Sequence, residues 1–274
     1  PPVGPLADII TQYVLHKRSC GYEYHIEEGL LFCFSQFSLG YAINGKTIPE
    51  KLLADWLSFR TEEKATTCKA RRNTTRSFVL YAKEYGYAAV LPVLPELKAI
   101  KYIPYIFSED ELARLFAAAD NRRQYSGTDK HLIVPVLLRL VYSCGLRATE
   151  ATSLRWKDAD LDKGVLTIRF GKNQKDRLIP VAPSMLEIMK EYRLRLARPP
   201  EPTDSIFRTK YLGRPSRHQL YHWFRAVLFD AGIGHGGKGT GPRLHDLRHT
   251  FCTQALRKLL REGCDINVAL PILA

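Results

Sequence analysis

Three short segments place cations where one chain element gives way to the next: Gly145-Leu146-Arg147-Ala148-Thr149-Glu150, Gly171-Lys172-Asn173-Gln174-Lys175-Asp176-Arg177 and His245-Asp246-Leu247-Arg248-His249-Thr250. Arg147 lies just past a helix-stopping glycine, which presents its guanidinium at a turn. Lys172 sits at a hairpin tip, where a flexible ammonium can swing. His245 and Arg248 are three residues apart at a helix start and share a face. Two arginines, a mobile lysine and a histidine are what a site needs to hold one phosphodiester: forks for the nonbridging oxygens, donors for developing charge and an acid for the leaving oxygen. Any one of the three segments alone reads as a surface ion pair.

The elements that must position them follow from periodicity and breakers. Prolines 92, 95 and 104 interrupt an apolar stretch and mark a linker over residues 96–105, between a helical region 1–95 and a second region 106–274. In the first region, Thr47-Ile48-Pro49-Glu50 reads as a helix start ahead of Leu52, Leu53, Trp56 and Leu57. A further helix is expected over 66–85, stopped by Gly86, with Lys69, Arg71, Arg72 and Arg76 on exposed faces. Charge alone leaves that helix equally a solvated surface and a DNA-groove helix, and a cationic helix fits the major groove, so Lys69, Arg71, Arg72 and Arg76 are the expected DNA-binding residues. In the second region, Ser108-Glu109-Asp110-Glu111 is a capping box, residues 132–144 read as a buried helix stopped by Gly145, and residues 165–170 and 177–181 as a hairpin. Helices are expected at 184–198, 216–231 and 245–262. The fold class is mainly α with a small antiparallel β-sheet (α+β) in two domains.

The 274 residues carry 41 Lys and Arg against 28 Asp and Glu, a net charge of +13 with 45% hydrophobic content, which excludes a disordered basic tail and points to a folded protein meeting a polyanion. Residues 1–100 hold 12 cations and 10 anions, leaving 29 and 18 for residues 101–274, so the second region carries most of the field. Cys20, Cys33, Cys68, Cys144, Cys252 and Cys264 show no metal-ligand spacing and read as reduced, mostly buried residues of a cytosolic protein. No apolar run approaches the roughly 18 residues that span a bilayer. A start at Pro1-Pro2 without Met reads as a fragment.

In order and spacing, GLRATE, GKNQKDR, HDLRH and the stretch Leu154-Arg155-Trp156-Lys157-Asp158-Ala159-Asp160-Leu161 resemble the tyrosine recombinase (integrase) family over about residues 105–274; the preceding helices resemble that family's core-binding, SAM-like domain. The resemblance implies a C-shaped clamp on double-stranded DNA with inverted core sites, self-association to dimers or tetramers on that DNA, and strand cleavage and rejoining through a 3′-phosphotyrosine, for integration or excision of a mobile element. It implies no metal and no cofactor, and a prokaryotic, cytoplasmic, nucleoid-associated protein. Arg147 and Arg248 would clamp the scissile phosphate, Lys172 would protonate the departing 5′ oxygen with Lys175 as the alternative on the same hairpin, and His245 would donate to the phosphate or help deprotonate the nucleophile. Glu150 would orient Arg147, and His249 would support the helix.

The sequence departs from the family pattern at its end. Residues 265–274 resemble the segment before the family's second His, and the tyrosine nucleophile would follow later; Tyr211 and Tyr221 match no nucleophile position. The expectation is a chain that binds DNA without cleaving it. A type IB topoisomerase and a non-catalytic DNA-binding regulator on the same scaffold are the alternatives. Two further patterns are set aside: Gly232-Ile233-Gly234-His235-Gly236-Gly237-Lys238 lacks the Ser or Thr of a phosphate-binding loop, and His218 and His222 lack a third ligand for a metal.

Overall fold

The structure is a computed structural model that describes residues 1–98, 102–124, 128–169, 176–209, 213–237 and 241–273. The chain divides into two compact units, Pro1–Tyr102 and Ile103–Ala274.

The first unit is built from α1 (Ala7–Ser19), α2 (His25–Ser38), α3 (Glu50–Leu57) and α4 (Ala65–Glu84), with a short parallel pair of β1 (Thr47–Ile48) and β2 (Ala88–Ala89). Its core gathers Ile10 and Tyr13 from α1, Leu31 and Phe34 from α2, Leu52, Leu53 and Trp56 from α3, and Phe78 and Val79 from α4. Thr47 is not a helix cap. It pairs with Ala88 in the sheet, and α3 begins behind an extended Pro49 with no side-chain cap.

The inward stripe of α4 runs through Cys68, Arg71, Thr75, Phe78 and Ala82, the three-to-four-residue repeat of a helix face packed on a core. Arg71 therefore falls inside, contrary to the expectation of an exposed DNA-facing cation. Its Nε donates to Glu63 Oε1 at 3.1 Å and its Nη2 to the Ser58 carbonyl at 3.0 Å, and its side chain is 3% exposed. The hydrogen bonds from Arg71 hold the Glu63 carboxyl below the usual range against the opposing effect of burial. Arg72 is also committed to structure: Nε donates to the Leu57 carbonyl at 2.9 Å and Nη1 to the Pro95 carbonyl at 2.8 Å. Lys69 and Arg76, on the opposite face, are exposed. Arg71→Ala leaves the Glu63 carboxylate without its buried partner and is expected to destabilise the first unit by about 3 kcal/mol. Lys69→Ala and Arg76→Ala should leave stability within about 0.5 kcal/mol, and urea unfolding of the three variants checks the contrast.

The second unit orders α5 (Glu109–Asp120), α6 (Lys130–Ser143), α7 (Ala148–Ser153), a 3-10 turn (Trp156–Asp158), β3 (Ala159–Asp160), β4 (Val165–Ile168), β5 (Arg177–Pro180), α8 (Pro183–Leu194), α9 (Arg217–Asp230), α10 (Leu244–Arg261) and α11 (Ile266–Leu273). The described elements are mainly helical. The strands form one antiparallel sheet in the order β3-β4-β5, with Ile168 opposite Arg177 at the end where the strands meet their connecting loop and Val165 opposite Pro180 at the open end. α6 is the central helix: Leu137, Leu140 and Val141 are buried, and it packs against α5, α8 and α10. Ser108 and Glu111 form the capping box of α5, and the backbone N–H of Phe107, just before it, donates to Thr250 Oγ1 on α10 at 3.0 Å. That bond ties the start of the unit to the helix that carries His245 and Arg248.

The cysteines are all free, but burial differs from expectation. Cys68 and Cys144 are buried, Cys252 and Cys264 are intermediate, and Cys20 and Cys33 are exposed. Cys33 lies off the α2 stripe formed by Leu31, Phe34, Ser35 and Ser38, which leaves it facing water.

Candidate active site

The site is assembled on a turn. α6 ends at Gly145, whose φ of +57° is the left-handed conformation that glycine adopts without strain. A Cβ there would stand 2.5 Å from Phe251 Cδ1 of α10, so the same glycine allows α10 to approach. Arg248 uses that approach and donates from Nη1 to the Gly145 carbonyl. Gly145→Ala combines a strained backbone with a clash and is expected to cost about 2 kcal/mol or more, read from the chemical-denaturation midpoint.

Two residues beyond the glycine, Arg147 adopts an extended backbone and starts α7. Glu150, one turn on, accepts from the Arg147 backbone N–H at 2.8 Å and from its Nη1 at 2.7 Å. The same carboxylate accepts from Arg177 Nη1 at 3.0 Å and Nη2 at 2.8 Å, while its side chain is only 7% exposed. Burial pushes the Glu150 carboxyl up, and the Arg177 and Arg147 bonds outweigh it and bring it down to about 2. Glu150 is thus a fixed anion that holds two guanidiniums, and it orients Arg147 by direct contact.

Arg177 is the residue that sequence reasoning passed over. It is the first residue of β5, so its pairing with Glu150 fastens the loop end of the β4–β5 hairpin to α7. Lys172, Lys175 and Tyr211 lie outside the described residues. The signal for Arg177 was present, since it stands in the GKNQKDR segment, but nothing in one sequence pairs it with a carboxylate 27 residues away.

α10 begins with the Arg243 backbone N–H bonded to Asp246 Oδ2 at 2.8 Å, and it places His245 and Arg248 one turn apart. Desolvation and then the neighbouring His249 and Arg248 lower the pKa of His245, which favours a neutral ring. His249 packs its ring edge-on against His245 with centroids 4.8 Å apart, a supporting position. The pKa of Arg248 is also lowered, first by burial, with the Arg147 charge acting in the same direction. Electrostatically, two guanidiniums and a neutral imidazole around one turn form a site that gains from an anion.

A pocket of about 450 Å³ opens onto this cluster, lined by Arg147, Arg243 and His245 and, from α9, by Arg217, Tyr221 and Arg225. The α9 arginines extend the cationic surface beyond the sequence-derived residues; they belong to the outward face of a helix whose inner face is Leu220, Trp223, Phe224 and Val227. His235 of the glycine-rich loop lines the same pocket, while Lys238 and Gly239 of that loop lie outside the described residues.

Residues 106–274 match the sequence profile of the Phage integrase family. The chain belongs to the phage integrase family. It is 30% identical over 218 residues to the tyrosine recombinase XerD of Neisseria meningitidis serogroup B, covering 77% of this chain and 69% of that protein. Its fold is that of a lambda integrase dimer bound to a COC′ core site (17% identical, 96% of this chain and 92% of that one, TM-score 0.68) and of a lambda integrase tetramer bound to a Holliday junction (17% identical, 96% and 75%, TM-score 0.67). Family membership sets the enzyme class as recombinase. Among the described residues no helix is long and apolar enough to cross a membrane.

Proposed function

We propose that this chain serves site-specific DNA strand exchange, with the scissile phosphate held between Arg147 and Arg248. The supporting observation is the convergence of both guanidiniums on the Gly145 turn, with Glu150 fixing Arg147 and His245 alongside. In this reading the two arginines donate to the nonbridging oxygens and stabilise the charge that builds on them as phosphorus becomes pentacoordinate. A tyrosine oxygen attacks, the bond to the 5′ oxygen breaks, and a 3′-phosphotyrosine forms. His245, neutral by its surroundings, accepts the tyrosine proton or donates to the phosphate. Lys172 delivers the proton to the departing 5′ oxygen, with Lys175 as the alternative. Attack by a 5′-hydroxyl of another strand reverses the step and completes the exchange.

The α9 face and the exposed Lys69 and Arg76 of the first unit contact the flanking duplex at inverted core sites. The two lambda integrase assemblies on DNA support a dimer or tetramer as the working form. In this reading the exchange serves integration or excision of a mobile element in a bacterial cytoplasm, on the nucleoid.

A salt titration combined with a covalent trap tests the reading. Log affinity for duplex DNA should fall linearly with log salt at a slope of about −0.9 per phosphate contacted, and Arg217→Ala and Arg225→Ala should each flatten the slope by about one contact. Affinity that ignores salt overturns the DNA interface. A nicked suicide substrate should trap a protein–DNA adduct when the chain is extended past Ala274 in its own reading frame; absence of the adduct favours the non-catalytic regulator. Relaxation of plasmid without sequence preference by the extended chain favours the topoisomerase.

A further inference from the structure

α9 carries His218 and His222 one turn apart on its solvent face, between Arg217 and Arg225. Their Nε2 atoms stand 3.0 Å apart, with the rings at 66°. Two imidazole nitrogens at that distance share either one proton or one metal ion. A transition metal sits about 2.0–2.1 Å from each imidazole nitrogen, and ligand angles between octahedral and tetrahedral then put the nitrogens roughly 2.9–3.4 Å from each other. The observed spacing falls inside that range, and both histidines project from one helix a turn apart. Both rings are exposed, which leaves the remaining coordination positions to water.

We propose that His218 and His222 form a binding site for an imidazole-preferring divalent ion of the Zn²⁺, Ni²⁺ or Cu²⁺ class. Among the described residues no group of three or more His, Cys, Asp or Glu gathers as a metal site, so the protein supplies two ligands and the site is weaker than a four-ligand structural centre. Arg217 and Arg225 on the same face oppose a cation when the protein is free. A DNA phosphate that neutralises them removes this opposition, so ion and DNA each raise the other's affinity by the same factor. That coupling, unlike the metal site itself, rests on reading the α9 face as part of the DNA interface.

The test uses Ni²⁺ as the probe in a Cys20→Ser, Cys33→Ser background, which removes the two exposed thiols as competing ligands. Equilibrium dialysis should show one Ni²⁺ fewer per chain after His218→Ala plus His222→Ala, and Ni²⁺ should raise the melting temperature of the parent but not of this variant. Both histidines are exposed and alanine favours helix, so the variant retains its fold. Equal Ni²⁺ binding by parent and variant overturns the site. In a parallel salt-matched titration, Ni²⁺ should tighten duplex binding by the parent alone. Ni²⁺ bound at the pair without any change in DNA affinity overturns the coupling and counts against the α9 face as a DNA contact, while the metal site stands.

Discussion

Glu150→Ala is expected to lower unfolding free energy by about 3 kcal/mol at neutral pH, and most of that loss should disappear in acid. The carboxylate is nearly buried and accepts four hydrogen bonds, two from each of Arg147 and Arg177. Its pKa in the fold is about 2, against an ordinary value of 4.5. A depressed carboxylate stabilises the fold when the unfolded chain's carboxylate is also ionised, above about pH 4.5. The contribution is lost as pH falls from there towards about 2. A difference of this size corresponds to about 3 kcal/mol, and the exposure of Arg147 and Arg177, at 33% and 35% of their side chains, keeps the cost of leaving them unpaired moderate. Urea unfolding of parent and variant at pH 7 and pH 3 checks this. A stability gap as large at pH 3 as at pH 7 would show that the side chain matters for packing and not for charge. Glu150→Gln, which keeps the shape and removes the anion, should reproduce the pH dependence of the loss.

The parts of this molecule legible from sequence are those in which local chemistry and tertiary structure agree. Ser108 and Glu111 cap α5 as their spacing requires, Gly145 stops α6, and the expected span 66–85 is α4 within a residue at each end. α9 begins within one residue of expectation for the same reason, a Ser216–Gln219 capping box ahead of a regular apolar stripe, and α10 does so although it has no side-chain N-cap and turns Asp246, Leu247 and Thr250 inward. Elements that lack a local signal are not legible in this way. α2 starts behind Tyr24 in a left-handed conformation with φ of 54° and no side-chain cap, which a sequence does not announce. β1, β2 and β3 are two residues each and exist only through their partners.

Cations show the limit most clearly. Lys69, Arg71, Arg72 and Arg76 look alike in sequence, and a helix repeat assigns Arg71 to the core stripe only once Phe78 and Ala82 are known to be its inward neighbours. Arg71 is then structural and Arg72 is tied to two carbonyls, which leaves Lys69 and Arg76 as the exposed pair of the four. At the site, the motif residues Arg147, Glu150, His245 and Arg248 carry their own label in sequence. Arg177, Arg217 and Arg225 do not, because their roles depend on a sheet register and on one helix face turned toward a pocket.

Arg147→Lys is expected to reduce strand cleavage by about 10²–10³-fold, the loss typical of removing one positioned donor to a developing oxyanion, while duplex affinity changes by no more than about twofold, since one phosphate contact among several is retained as a charge. The guanidinium can commit one edge to Glu150 and offer the other to the phosphate. An ammonium has no such division. Its three donors radiate from one atom, so a lysine that keeps the Glu150 bond cannot also present a planar fork, and one that turns to the phosphate leaves the buried carboxylate to Arg177 and the backbone N–H of residue 147. The loss belongs to the transition state, in which the nonbridging oxygens carry more charge than in the bound substrate, and so it appears in the cleavage rate and not in binding. Single-turnover trapping on a nicked suicide substrate, with the chain extended past Ala274 in its own reading frame, measures the first quantity, and a gel-shift titration at fixed salt measures the second. Equal losses in both would make Arg147 a docking contact, and the phosphate clamp would then have to be built around Arg248, which the Gly145 carbonyl already holds at the same turn.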